Sequence, residues 1–139
     1  MEQTSLHSQQ QLVKLRQFTC SDLEEISLWF ESRDMVTPTM EDLPCFGLIA
    51  EAVYPIAVGF LIETDTNHCV IDFFSADPSE EKHIRNVALD LICDGLVAAA
   101  RSKGYSKIKC DTQLDIIKKR ALKHGCAELG EFSVFLKEL

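Results

Sequence analysis

The residues able to do chemistry are scattered along this chain, and their spacing already narrows what they can do. The cysteines are Cys20, Cys45, Cys69, Cys93, Cys110 and Cys126, and the histidines are His7, His68, His83 and His124. There is no CxxC pair and no His/Cys cluster at metal-ligand spacing, so no metal site is expected. A Cys-His nucleophilic pair needs its two members side by side, and no spacing singles one out. Most of the cysteines fall in apolar stretches, which predicts buried structural thiols in a reducing, cytoplasmic compartment. Asp72 stands apart as the only carboxylate within the stretch CVIDFFS. It reads either as a proton acceptor or as the solvent-facing member of an alternating strand. Glu51 and Glu63 are weaker candidates at strand ends. Lys118, Lys119, Arg120 and Lys123 form the one basic cluster and read first as a solvated helix face, and second as a contact for a ligand's phosphate.

Those residues need a scaffold, and the hydrophobic periodicity supplies one. Val13 to Phe18 alternates and predicts a first strand. Thr19-Cys20-Ser21-Asp22, with Glu24 and Glu25 three residues past Ser21 and Asp22, has a capping-box pattern. It opens a helix in which Leu23, Ile26, Trp29 and Phe30 share a face, ending near Arg33. A loop carrying Pro38, Met40 and Pro44 follows. Cys45 to Val53 and Ile56 to Glu63 predict an antiparallel hairpin turning at Tyr54-Pro55. Cys69 to Ser75 predicts a fourth strand.

Asp77-Pro78-Ser79-Glu80 has the order cap, proline, acid, and predicts a helix starting at Pro78. Ile84, Val87, Ala88, Leu91, Ile92, Leu96 and Ala99 line one face of that helix, which Gly104 ends. Lys107 to Asp111 predicts a short strand and Leu114 to His124 a helix closed by Gly125. There His124 reads as a favourable charge partner for the helix C-terminus. Glu131 to Leu136 predicts a last strand. The order is β-α-β-β-β-α-β-α-β, an α/β domain over 12–139 behind a polar tail at 1–11.

The chain has 139 residues, 46% of them apolar, enough for one core. No apolar run reaches the length that crosses a membrane. Its 14 bases against 22 acids give a net charge of −8. So acidic a surface argues against nucleic acid and favours a cationic substrate or a protein partner.

That element order, with LRQFTCSDLEEI near the start, ALDLICDGLVAAARSKGYSKI in the middle and LKHGC towards the end, resembles the GNAT (GCN5-related) acyltransferases. The resemblance implies a mixed central sheet flanked by helices, and transfer of an acetyl group from acetyl-CoA to an amine on a small molecule or protein. It implies cofactor contacts at Ser75 and over the central helix's start: Lys82, His83, Ile84, Arg85 and Asn86. The family's Arg/Gln-x-x-Gly-x-Gly/Ala motif would fall on Glu81–Asn86, where an acid replaces the first residue and both glycines are gone. Glycines there let backbone amides approach a diphosphate; Lys82, His83 and Arg85 would partly restore the positive potential. The resemblance assigns Asp72 as the general base. It places Ala121 where many members have a Tyr acid, leaving Tyr105 or a water to stand in. Pairing of two copies through EFSVFLKEL is also implied. The alternative is a fold that has lost catalysis, a binding or structural module of the kind carried by phages.

Overall fold

The computed structural model describes residues 12–110 and 115–127. Its strands are β1 (Lys14–Gln17), β2 (Phe46–Glu51), β3 (Pro55–Ile62), β4 (His68–Ala76) and β5 (Lys107–Lys109). Its helices are α1 (Leu23–Glu31), entered through a 3-10 turn at Cys20–Asp22, α2 (Lys82–Ser102) and α3 (Asp115–Lys123). The strands lie side by side in chain order. All neighbours are antiparallel except β4 and β5, which run parallel. A parallel pair needs a long crossover between its strands, and α2 provides it. The mixed sheet and the order β-α-β-β-β-α-β-α agree with expectation; the strand expected at Glu131–Leu136 lies outside the described residues.

Alternation along the strands divides the core in two. Leu48, Ala57 and Leu61 face α2, where Ala88, Ile92, Leu96 and Ala100 meet them. Their neighbours Ile49, Val58 and Phe60 face α1, packing on Ile26, Trp29 and Phe30. Successive strand residues point to opposite faces, so one hydrophobic run in β3 serves both layers.

Three local expectations are corrected. Helix α2 begins at Lys82, four residues after Pro78. The Asp77 carboxylate turns onto Ser79, accepting from its amide (2.9 Å) and hydroxyl (2.8 Å), while the Asp77 carbonyl accepts from the Glu80 amide (3.2 Å). Asp77-Pro78-Ser79-Glu80 is thus a closed turn, and Glu81, with ψ of 138°, precedes the helix. Near the N-terminus, the acid that closes the capping box is Asp22, which accepts from the Thr19 amide at 2.9 Å; Glu24 and Glu25 lie beyond it in α1. Asp22 also holds Arg16 at 2.7 Å, and Arg16 reaches Glu51 at 2.9 Å, tying β1, the turn and β2 together. Of the cysteines, only Cys69 and Cys93 are buried, and Cys20 and Cys45 are exposed; all six are free thiols.

Candidate functional site

The site is built by an irregularity in β4. Val58 pairs with Ser75 and Phe60 with Asp72, so Gly59 alone faces both Phe73 and Phe74. Phe73 takes a left-handed backbone, with φ of 57°, unusual for a bulky residue. The bulge sends Phe73 into the α1 layer, edge-on to Phe60 at 6.2 Å, and Phe74 into the α2 layer. Gly59 is required there, because a Cβ would lie 2.7 Å from both the Phe74 ring and Ile92. Bulges bend a strand and end its pairing. β5 ends at Lys109 and pairs with β4 from His68 to Val70 only, so the second half of β4, with the bulge, has no strand partner on that side among the described residues.

Beside this unpaired half of β4 lies a cleft of about 720 Å³, in the range of small-molecule sites. Its walls are the end of β4, β5, α3 and one stripe of α2 from Lys82 through Leu89, Cys93 and Val97 to Arg101. That stripe spans roughly 30 Å at 1.5 Å per residue. The middle is apolar, with Ile71, Phe74, Leu89 and Ile108. The charge is all of one sign. Among the described lining residues, eight are Lys or Arg and none is Asp or Glu. A chain of net charge −8 has therefore gathered more than half of its 14 bases into one concavity. Net charge had argued for a cationic ligand, whereas the cleft's own charge suits an anionic one.

Each expected site residue has a definite place. Lys82, Arg85, Asn86 and Ser75 line the cleft. Ser75 is buried, and its hydroxyl accepts from Arg33 Nη1 at 3.2 Å. Arg85 Nε is buried with no hydrogen-bond partner. Ile84, the residue in the first glycine position, is 6% exposed in the sheet-side core and does not line the cleft. The missing glycine has therefore not been replaced by a plug. Asn86, in the second glycine position, does stand in the wall, its side-chain oxygen held by Arg120 Nη2 at 2.9 Å. His83 is exposed and absent from the lining. Asp72 is exposed, also lies outside the lining, and accepts the Phe73 amide at 2.7 Å across the bulge. Glu51 and Glu63 pair with Arg16 and Lys103.

No side chain caps the start of α2, and its first turn carries no acid. Glu80 and Glu81 precede the helix, so the partial positive charge at this terminus faces no carboxylate on the helix itself. Lys82, Arg85, Arg101, Lys107 and Lys118 make no ion pair among the described residues.

The α3 wall is fastened by charge. Asp90 on α2 takes Arg120 at 2.5 Å, Lys123 at 2.7 Å and His124 at 3.0 Å. The second His124 nitrogen lies 3.2 Å from Asp94. Burial alone would push the Asp90 carboxyl up; hydrogen bonds from His124 and Lys123, with the Arg120 charge, reverse this and hold it down to about 2. The basic cluster is thus a docking seam on one side and cleft wall on the other, where a solvated face was expected. Tyr105 reaches the cleft, but its hydroxyl donates to the Thr64 carbonyl (2.7 Å) and accepts from the Thr64 amide (3.0 Å). That leaves it poorly placed to give up a proton. Cys93 also lines the cleft, with its thiol pushed up to about 11 by burial, and so stays protonated.

Sequence reasoning missed Arg33. Asp77 N donates to Ile56 O on β3, so the polar groups of Ala76 point the other way, to the unpaired edge of β4. Arg33 Nη1 takes the Ala76 carbonyl there at 2.8 Å. Only its place just after α1 could have drawn attention to it.

No family model matches this sequence, and no curated protein sequence matches it. Solved structures do match. AAC(6')-Iy in complex with the bisubstrate analogue CoA-S-monomethyl-acetylneamine is 15% identical, with a TM-score of 0.67 over 91% of this chain and 99% of that one. A Mycobacterium tuberculosis protein crystallised with CoA is 17% identical, with a TM-score of 0.68 over 88% of this chain and 76% of that one. A Staphylococcus aureus acetyltransferase of the GNAT family is 12% identical, with a TM-score of 0.67 over 81% and 83%. At such identities the likeness is one of architecture. With its mixed sheet, crossover helix and a fourth strand paired to the fifth over its first residues only, this chain has the GNAT fold.

Proposed function

We propose that the chain binds acetyl-CoA in the basic cleft and transfers the acetyl group to an amine. The carrying observation is the cleft's one-signed lining, which runs up to an uncapped helix start. CoA is a long polyanion with an apolar-tolerant pantetheine arm. The cleft offers a matching sequence: positive charge at the start of α2, an apolar middle, and Arg101 and Lys107 at the far end. At the helix start the first-turn amides and Lys82 would hold the diphosphate, with Arg85 one turn further in. Ser75, Ile84 and Asn86 take part as wall, core support and rim, and His83 stands on the exposed side of the same turn. Ile84 anchors this turn to the sheet, keeping the amides in place without glycine.

Acetyl-CoA supplies the thioester when bound. The chain's part is to shelter it from water between α2 and α3 and to let the acceptor amine lose its proton. Asp72 is the proposed proton acceptor. It sits at the bulge but outside the cleft lining, so it acts through water.

A second reading has its own observation. No carboxylate lines the cleft among the described residues, and Tyr105 is held by Thr64. This is what a GNAT-fold module that binds CoA without catalysing transfer would look like.

Thermal unfolding with acetyl-CoA tests binding: at a hundredfold excess over Kd the stabilisation is about 2.7 kcal/mol. It should shrink sharply in Lys82→Glu. CoA release with a panel of amines then separates the two readings. Binding without release supports the module, and no binding in the millimolar range removes both.

A further inference from the structure

Arg33 and Arg85 approach the cleft from opposite sides, one from the segment after α1 and one from α2. Burial first, then the Arg85 charge, lowers the Arg33 pKa. Two guanidiniums that repel each other in a partly buried place need a reason to be there. The carboxylate whose charge also reaches Arg33 is Asp77, and its side chain is turned onto Ser79. Arg33 is fixed by one nitrogen only, Nη1, on Ser75 and Ala76. Arg85 Nε is buried and has no partner. A donor in that condition is costly if nothing ever fills it. Arg33 lies at the unpaired edge of β4, just past the bulge, and Arg85 lines the same cleft.

We propose that Arg33 and Arg85 form a carboxylate-binding subsite, so that the acceptor is an amine that also carries a carboxylate, as a free amino acid does. The inference rests on the acetyl-transfer reading above and narrows its acceptor. A planar carboxylate matches a guanidinium fork, and two forks at an angle fix its orientation as well as its charge. Held there, the amine would be presented along β4 towards the bulge.

The test follows the side-chain Nε–Hε signals of the 15N-labelled full chain, with and without acetyl-CoA. L-amino acids serve as probes, each compared with the amine that lacks its carboxylate. The proposal expects amino acids to move the Arg85 signal and the matched amines to leave it in place. Arg33→Met should weaken amino-acid binding roughly tenfold to a hundredfold, the range for losing a charged hydrogen bond. Arg33→Lys, which keeps the charge but loses the fork, should fall between. Arg33→Met should cost far more in amino-acid binding than in thermal stabilisation by acetyl-CoA. Equal responses to acids and amines, or no response to any amino acid, would overturn the subsite. Loss of acetyl-CoA stabilisation in Arg33→Met would also overturn it, since the pair would then serve the diphosphate. Failure of acetyl-CoA to stabilise the wild type would instead sink the acetyl-transfer reading, with the Arg85 response to carboxylates still read independently.

Discussion

Replacing Asp90 with Asn turns the clasp between α2 and α3 into a measurable free energy. The carboxylate lies at the meeting point of Arg120, Lys123 and His124, and its side chain is 25% exposed. Its pKa falls from 3.8 to about 2 on folding. At 1.36 kcal/mol per unit this shift bounds the clasp at about 2.4 kcal/mol. The sign follows from the direction of the shift. A depressed carboxylate stabilises the fold fully above its unfolded value near 3.8 and loses that contribution as pH falls towards 2. Asn mimics the protonated form, so Asp90→Asn should cost about 2 kcal/mol at pH 7 and show roughly half that gap at pH 3. For a chain of this length the loss is a drop of about 6–9 °C in Tm. Urea unfolding followed by circular dichroism at pH 7, 4 and 3 gives the comparison. A gap below about 0.5 kcal/mol at pH 7, as for an ordinary surface pair, would refute the reasoning. So would a gap that does not change with pH.

Other positions give sharper yes-or-no results. Phe60 is fully buried and touches Phe18 edge-on at 5.0 Å, so Phe60→Ala should destabilise by about 3–5 kcal/mol in urea. Gly59→Ala drives a Cβ to 2.7 Å from Ile92 and Phe74 and should cost about 1–3 kcal/mol; near-neutral stability would mean the bulge can relax. Tyr105→Phe should lower stability by about 1–2 kcal/mol through the two lost Thr64 hydrogen bonds. In the same variant the rate of acetyl transfer should hold, and a large fall in kcat would restore Tyr105 as an acid. Asp72→Asn should slow transfer most at low pH, where the amine depends most on a base; an unchanged pH profile would remove Asp72 from the chemistry.

Much of the architecture was legible because the core obeys simple periods. Ile49/Leu48, Val58/Ala57 and Phe60/Leu61 alternate between faces, and Ala88, Ile92, Leu96 and Ala100 recur at helical spacing. The start of α2 was misplaced for a physical reason. Asp-Pro-Ser-Glu has the chemistry of both a helix cap and a closed turn, and tertiary context chose the turn, leaving the helix start open. The bulge could not be read from CVIDFFS, because nothing local marks which residue falls opposite Gly59. The charge of the cleft was hidden for a different reason. Arg33, Lys82, Arg101, Lys107 and Lys118 are far apart in sequence, and only folding gathers them while the chain as a whole stays acidic. His83 and Arg85, two residues apart, diverge because about half a helical turn separates an exposed face from the cleft.

The most direct test is a crystal structure grown with acetyl-CoA. The account predicts the diphosphate at the amides and Lys82 at the start of α2, with the pantetheine arm beside the unpaired half of β4. Acetyl-CoA absent from the cleft at saturating concentration, or bound elsewhere on the surface, would contradict it.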